Sequence, residues 1–174
     1  TDKEGFQEKW DNLKLFIEYG MLSDEKFYEK ATKFALMKTT DDKYFKYDEF
    51  KTLIEAEQTD KNKKLVYLYT TDPVAQYSYI EAAKNRGYQV LVFDSQLDAH
   101  FVNLLETKFK DSTFARVDAD SIDNLIQKEN KEKPVLKEGQ ERDLGYAFEA
   151  VLPQGAHYHV QVDNLGATAA PIVI

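Results

Sequence analysis

The segment from Lys64 to Asp123 constrains the fold more than any other part of this chain, because it alternates between two hydrophobic periods and punctuates each change. Lys64-Leu-Val-Tyr-Leu-Tyr-Thr70 is an apolar, β-branched and aromatic run, which predicts a strand. Asp72 suits a helix cap and Pro73 a first helical position, so a helix is expected to follow. Arg86-Gly87 ends it, because glycine enters the left-handed region cheaply. Tyr88 to Phe93 predicts a second strand, Leu97 to Phe109 a second helix, and Thr113 to Val117 a third strand. Strands alternating with helices of this length imply a parallel sheet with right-handed crossovers.

Around this unit the pattern changes. Phe6, Trp10, Leu13, Phe16 and Ile17 recur at helical spacing, and Gly20 is expected to stop that helix. Ser23 is expected to cap the next helix, whose buried face would be Phe27, Ala31, Phe34 and Ala35. Residues 38–46 read as a polar loop. Asp48 to Glu57 reads as a third helix with Phe50, Leu53 and Ile54 inward. After the third strand, Ser121 can cap a short helix through Ile122, Leu125 and Ile126. Residues 128–142 are nearly all charged, a linker composition. Beyond them, Leu144 to Leu152 suggests another helix, His157 to Asp163 alternates like a strand, and Pro171 to Ile174 starts a further one. The expected organisation is helices over 1–57 and an α/β unit over 64–127, together one domain over 1–127. A linker over 128–142 and a truncated α+β segment over 143–174 follow. The fold class is α/β, with a three-layer α/β/α unit around a short parallel sheet.

Composition narrows the function. With 43% hydrophobic and 31% charged residues the chain is globular. No apolar run reaches the roughly 18 residues of a membrane span, and residues 1–5 are no signal peptide. The chain does not begin with Met, which suggests a processed or excised piece. It contains no cysteine, which excludes thiolate metal sites and fits a reducing compartment, so a cytoplasmic location is expected. A net charge of −8 disfavours nucleic acid and anionic membranes as partners.

Motifs for chemistry are sparse. The loop after the first strand, Thr70-Thr-Asp-Pro73, has no glycine, places a carboxylate where a phosphate would sit, and loses an amide at proline. Asp118 to Asp123, with Glu129 at the twelfth position, resembles a calcium loop, but Asp123 replaces the sixth-position glycine and Ile122 the fifth-position ligand. His157 and His159 share a strand face and could hold a metal or simply form a polar surface. No third ligand is evident. On the second helix of the α/β unit, Phe101, Leu104 and Leu105 share the buried side, while His100 and Asn103 lie three apart on a semi-polar face.

Taken in order, these segments resemble the heat shock protein 90 chaperones, the bacterial HtpG branch in particular. The matching text is Trp10 to Gly20, Asp24 to Tyr28, Leu65 to Tyr69, Arg86 to Leu91, Leu97-Asp98 and Asn103 to Glu106. Val160 to Leu165 and Ala170 to Val173 follow past the linker. The chain departs from the family at Thr71-Asp72-Pro73, where a Gly-Glu-Ser-type loop is usual, and near Lys46 and Tyr47, where Ser or Thr usually caps. The resemblance implies the C-terminal part of a middle domain followed by the start of a C-terminal dimerisation domain. It implies a stress-response parent that folds proteins as an ATP- and Mg-dependent homodimer. Within this piece it implies no catalytic, cofactor or metal residue. The implied partners are unfolded or partly folded client proteins and the parent's other domains, and the implied client-facing residues are His100, Phe101 and Asn103. Two other classes stand beside it. One is a small Rossmann-like enzyme using Thr71, Asp72 and Asp94 at the carboxyl ends of the strands. The other is a plain interaction module.

Overall fold

A computed structural model describes residues 3–128, 136, 138–153 and 159–162. The chain divides into two compact units, 1–129 and 130–174.

The first unit opens with α1 (Lys3–Ser23) and α2 (Glu25–Ala31). The buried line of α1 runs through Trp10, Lys14, Glu18 and Met21, with Phe6 and Ile17 packed beside it. It is rotated from the expected stripe. Leu13 lies half out and Phe16 is 74% exposed. Two ionisable residues sit on the inward line, so hydropathy alone points to the wrong side of the helix. Gly20 does not end α1. It makes room for the Phe27 ring, since a Cβ there would stand 2.6 Å from Phe27 Cε1. The cap of α2 is Asp24 rather than Ser23, its Oδ1 accepting the Phe27 amide at 2.9 Å. Of the expected face of α2, Ala31 and Ala35 are buried and Phe27 and Phe34 half-exposed. Tyr28 fills the buried position.

Residues 36–46 form a hairpin rather than a polar loop. β1 (Leu36–Lys38) pairs antiparallel with β2 (Tyr44–Lys46), Met37 opposite Phe45. The turn places Asp42 at a φ of 55°, a region that Asp tolerates better than most residues. Next, α3 (Tyr47–Gln58) buries Phe50 and Ile54, while Leu53 is exposed. The Glu49 carboxylate accepts the Lys46 amide at 3.0 Å, which stands in for the missing Ser or Thr cap.

The α/β unit follows as β3 (Leu65–Thr70), α4 (Tyr77–Asn85), β4 (Val90–Val92), α5 (Asp98–Lys108), β5 (Ser112–Arg116) and α6 (Ile122–Leu125). β3 pairs in parallel with both β4 and β5, in the order β4-β3-β5, while Leu91 and Leu65 also make isolated antiparallel bridges to Thr39 and Thr59. β3 is central and nearly all buried, which explains its unbroken apolar run. Crossing first to one edge and then to the other with right-handed connections puts α4 and α5 on opposite faces. Asp72 caps as expected, its Oδ1 accepting the Val74 and Ala75 amides at 3.0 and 2.9 Å. The first turn is not yet α-helical, and α4 starts at Tyr77. Gly87 ends it at a φ of +77°.

Two cores result. One face of the sheet packs Leu65, Tyr67, Leu91 and Phe114 against α1, α3, α5 and the hairpin. The other packs Val66, Leu68 and Val90 against Ile80, Ala83 and Ile126.

In the second unit, α7 spans Glu138–Val151. Residues 138–142 of the expected linker are therefore helical. Residues 159–162 of the expected 157–163 strand carry no strand pairing. His157, Pro171 to Ile174 and most of the remaining linker lie outside the described residues.

Candidate functional site

Helix α5 carries the sequence-derived candidates. Phe101, Val102 and Leu105 turn inward, Phe101 at only 3% exposure, so its ring belongs to the core and supplies no surface. His100 and Asn103 are exposed, one helical turn apart on the outward side. The structure thus brings His100 and Asn103 together on one surface and places Phe101 beneath it.

The start of α5 is fixed by a polar cluster that sequence reading missed. Asp98 is 2% exposed. Its Oδ2 accepts from Lys14 Nζ at 3.0 Å and from the Ser95 amide at 2.7 Å, and its Oδ1 accepts from Ser95 Oγ at 2.7 Å. Lys14 also lies 3.6 Å from Asp94 and 3.9 Å from Glu18. Its ammonium stands 5.6 Å from the Phe93 ring centre. Glu18, 3% exposed, accepts from Ser95 Oγ at 3.4 Å, the same hydroxyl that donates to Asp98 at 2.7 Å. Burial pushes the Glu18 carboxyl up to about 8. Lys14 pulls against this, and the Asp98 charge adds to it. The only sequence signal was the i, i+4 pair Lys14 and Glu18 falling on a line with Trp10 and Met21.

The carboxyl edge of the sheet is occupied by its own side chains. Thr70 Oγ1 and the Thr71 amide both donate to Gln76 Oε1, at 2.6 and 3.1 Å. Gln76 Nε2 donates to Asp118 Oδ2 at 2.7 Å, and Arg116 pairs with Asp118. Burial raises the Asp118 carboxyl, but the hydrogen bonds from Arg116 and Gln76 outweigh it and hold it below the usual carboxylate range. The loop amides that would cradle a phosphate are taken by Asp72 and Gln76, and a carboxylate faces the same edge. Asp94, the third residue of the enzyme reading, is 60% exposed and turned to Lys14.

The carboxylates of the calcium-like run are likewise engaged by the protein. Asp123 pairs with Arg86 at 2.6 Å, and Asp120 Oδ1 accepts from the Ser121 amide and Asn124 Nδ2. Among the described residues no group of three or more His, Cys, Asp or Glu is placed to hold a metal ion. His159 lies in the second unit along a shallow groove of about 350 Å³ beside Arg142, Tyr146 and Glu149. No helix among the described residues is long and apolar enough to cross a membrane.

This is the fold of a chaperone-type middle domain. It is similar to the middle domain of a Plasmodium falciparum heat shock protein, with a TM-score of 0.50 and 17% identity, covering 67% of this chain and 49% of that one. No family model matches the chain. Sequence relatives are closer. The chain is 48% identical over its whole length to chaperone protein HtpG of Bacteroides fragilis, and 47% identical to that of Porphyromonas gingivalis. It belongs to the heat shock protein 90 family, and it spans 26% of the length of these curated relatives.

Proposed function

We propose that this segment serves an ATP-driven, homodimeric protein-folding chaperone of the cytoplasm by contacting client proteins and by transmitting motion between its neighbouring domains. In this reading it neither binds nor hydrolyses nucleotide, and ATP and Mg belong to other parts of the parent. The reading rests first on the whole-length likeness to HtpG chaperones. The exposed side of α5 then supplies the contact. His100 and Asn103 offer hydrogen-bonding groups, and Phe101 underneath holds their helix against the core. A surface that binds many unrelated chains weakly needs such adaptable polar ground rather than a deep specific pocket. The filled carboxyl edge of the sheet favours this reading over the Rossmann-like enzyme.

The test is a double substitution, His100→Ala with Asn103→Ala. Both side chains are exposed, so folding should be unaffected. Affinity for a chemically unfolded client, measured by fluorescence anisotropy, is expected to fall several-fold, with no comparable change for a folded control. Unchanged affinity removes both residues from the client surface. Equal binding of unfolded and folded proteins by the unsubstituted chain favours the plain interaction module instead.

A further inference from the structure

The buried cluster at the start of α5 is costly unless it has a purpose in the working of the fold, because ionisable groups are seldom buried without complete pairing. Three acids, Glu18, Asp94 and Asp98, converge on one cation, Lys14. We propose that Lys14, Glu18, Ser95 and Asp98 form a proton-gated latch that clamps the start of α5 to α1, closed while Glu18 is neutral and loosened when Glu18 loses its proton.

The geometry states the mechanism. Asp98 already holds the Ser95 amide, the Ser95 hydroxyl and Lys14, so it is the ionised anchor. Glu18 and Asp98 are both buried and share two partners, Ser95 Oγ at 3.4 and 2.7 Å and Lys14 Nζ at 3.9 and 3.0 Å, so a neutral Glu18 can donate its O–H within the cluster and complete the bridge between the two helices. Deprotonation removes that donor and sets a second negative charge against Asp98 where water is largely excluded. Lys14, 3.9 Å from Glu18, compensates only in part, because it is shared with Asp98 at 3.0 Å and Asp94 at 3.6 Å. From β1, Lys38 borders the same small cavity, but its ammonium is engaged by Asp11 at 2.8 Å and Asp42 at 3.4 Å. From α3, Tyr47 lines the cavity, and burial keeps its hydroxyl neutral. Asp94 adds a further negative charge at the exposed rim.

The sign follows from the raised carboxyl. An unfolded or unlatched Glu18 ionises near 4.5, and the latched one near 8. Opening therefore releases a proton between those values. The opening constant of the latch should rise by up to about tenfold per pH unit through this window and level off above it.

The experiment is amide hydrogen exchange of the full chain from pH 6 to pH 9.5, corrected for intrinsic chemical rates, followed at residues 11–20 and 99–106. The expected result is an opening constant that climbs to about pH 8 and then flattens, and that becomes independent of pH in Glu18→Gln, whose amide mimics the neutral carboxyl. A flat profile in the unsubstituted chain, or a slope retained in the variant, overturns the latch. If Glu18→Gln does not fold, a carbon-13 titration of the Glu18 carboxyl in the unsubstituted chain decides: a midpoint near 8 supports the latch, and one near 4.5 overturns it.

Discussion

The two faces of the parallel sheet are built from different materials. On one, Leu65, Tyr67 and Tyr69 of β3 meet an aromatic layer, with Tyr67 stacked on Phe114 at 4.7 Å and close to Phe109 and Phe50. On the other, Val66 and Leu68 meet Ile80, Ala83, Val90 and Ile126, a thinner aliphatic layer under α4 and α6. Each face also holds one polar cluster, and the two clusters shift their acids in opposite directions. Glu18, deep under the aromatic face, is pushed up, while Asp118, at the edge nearer the aliphatic face, is held down. The difference teaches that depth and donors, not residue type, decide whether a carboxyl here is an acid or a base. Glu18 has lost water and gained another acid as its neighbour, whereas Asp118 keeps some water and receives two donors.

The sharpest way to break the comparison is to hollow each face in turn. Tyr67→Ala removes the ring at the centre of the aromatic layer and should lower unfolding stability by about 4 kcal/mol, whereas Leu68→Ala, in the thinner layer, should lower it by about 3 kcal/mol. Urea denaturation measures both. Equal losses, or the reverse order, would show that the two layers carry similar weight despite their different chemistry.

A smaller effect separates the polar clusters. Asp98→Ala strips Lys14 of its closest partner and leaves the Ser95 amide and hydroxyl without their acceptor. The expected loss is roughly 3 kcal/mol, because removing one member of a buried pair strands the other. Adding Lys14→Met should recover part of that loss, since no buried ammonium is then stranded and Asp94, 60% exposed, keeps its water. A double variant as unstable as the single one would mean that the Ser95 hydrogen bonds, rather than the ion pair, hold the start of α5.

What the sequence revealed differs between these regions for a physical reason. The strands and helices of residues 64–126 were legible because each carries its own local signal: an apolar run, Asp72 at a cap, Gly87 at a left-handed stop. The hairpin over residues 36–46 was not, since its strands are only three residues long and each ends in a lysine. The rotation of α1 escaped notice because Lys14 and Glu18 occupy inward positions that hydropathy assigns to solvent. Only their partners on α5, far away in sequence, make those positions tolerable. Gln76 was silent for the same reason, as its value lies in bridging Thr70 to Asp118. At the candidate client surface, helical spacing set Phe101 inward and His100 and Asn103 on a neighbouring face, which is how the structure distributes them. The family resemblance had added Phe101 to the patch, and its burial withdraws it from the surface.

The smallest expected effect tests the direction of the two shifts. Asp118 pairs with Arg116, which is half exposed, so solvent screens the interaction and its contribution should be about 1 kcal/mol or less. Its sign is nevertheless clear. A carboxyl held below its ordinary value of 3.8 stabilises the fold at any pH above that value, and the contribution disappears as pH falls through the lower, folded value. The stability difference between the unsubstituted chain and Asp118→Asn should therefore be constant from pH 5 to pH 8 and shrink below about pH 4. For Glu18→Gln the difference should change in the opposite window, because a carboxyl raised to about 8 stabilises the fold fully only below 4.5 and loses that contribution as pH rises toward 8. Thermal unfolding of the three proteins across pH 3 to pH 9 reads both windows at once. If the two differences changed over the same pH range, the two faces of the sheet would share one electrostatic environment, and the contrast between depth and donors would fail.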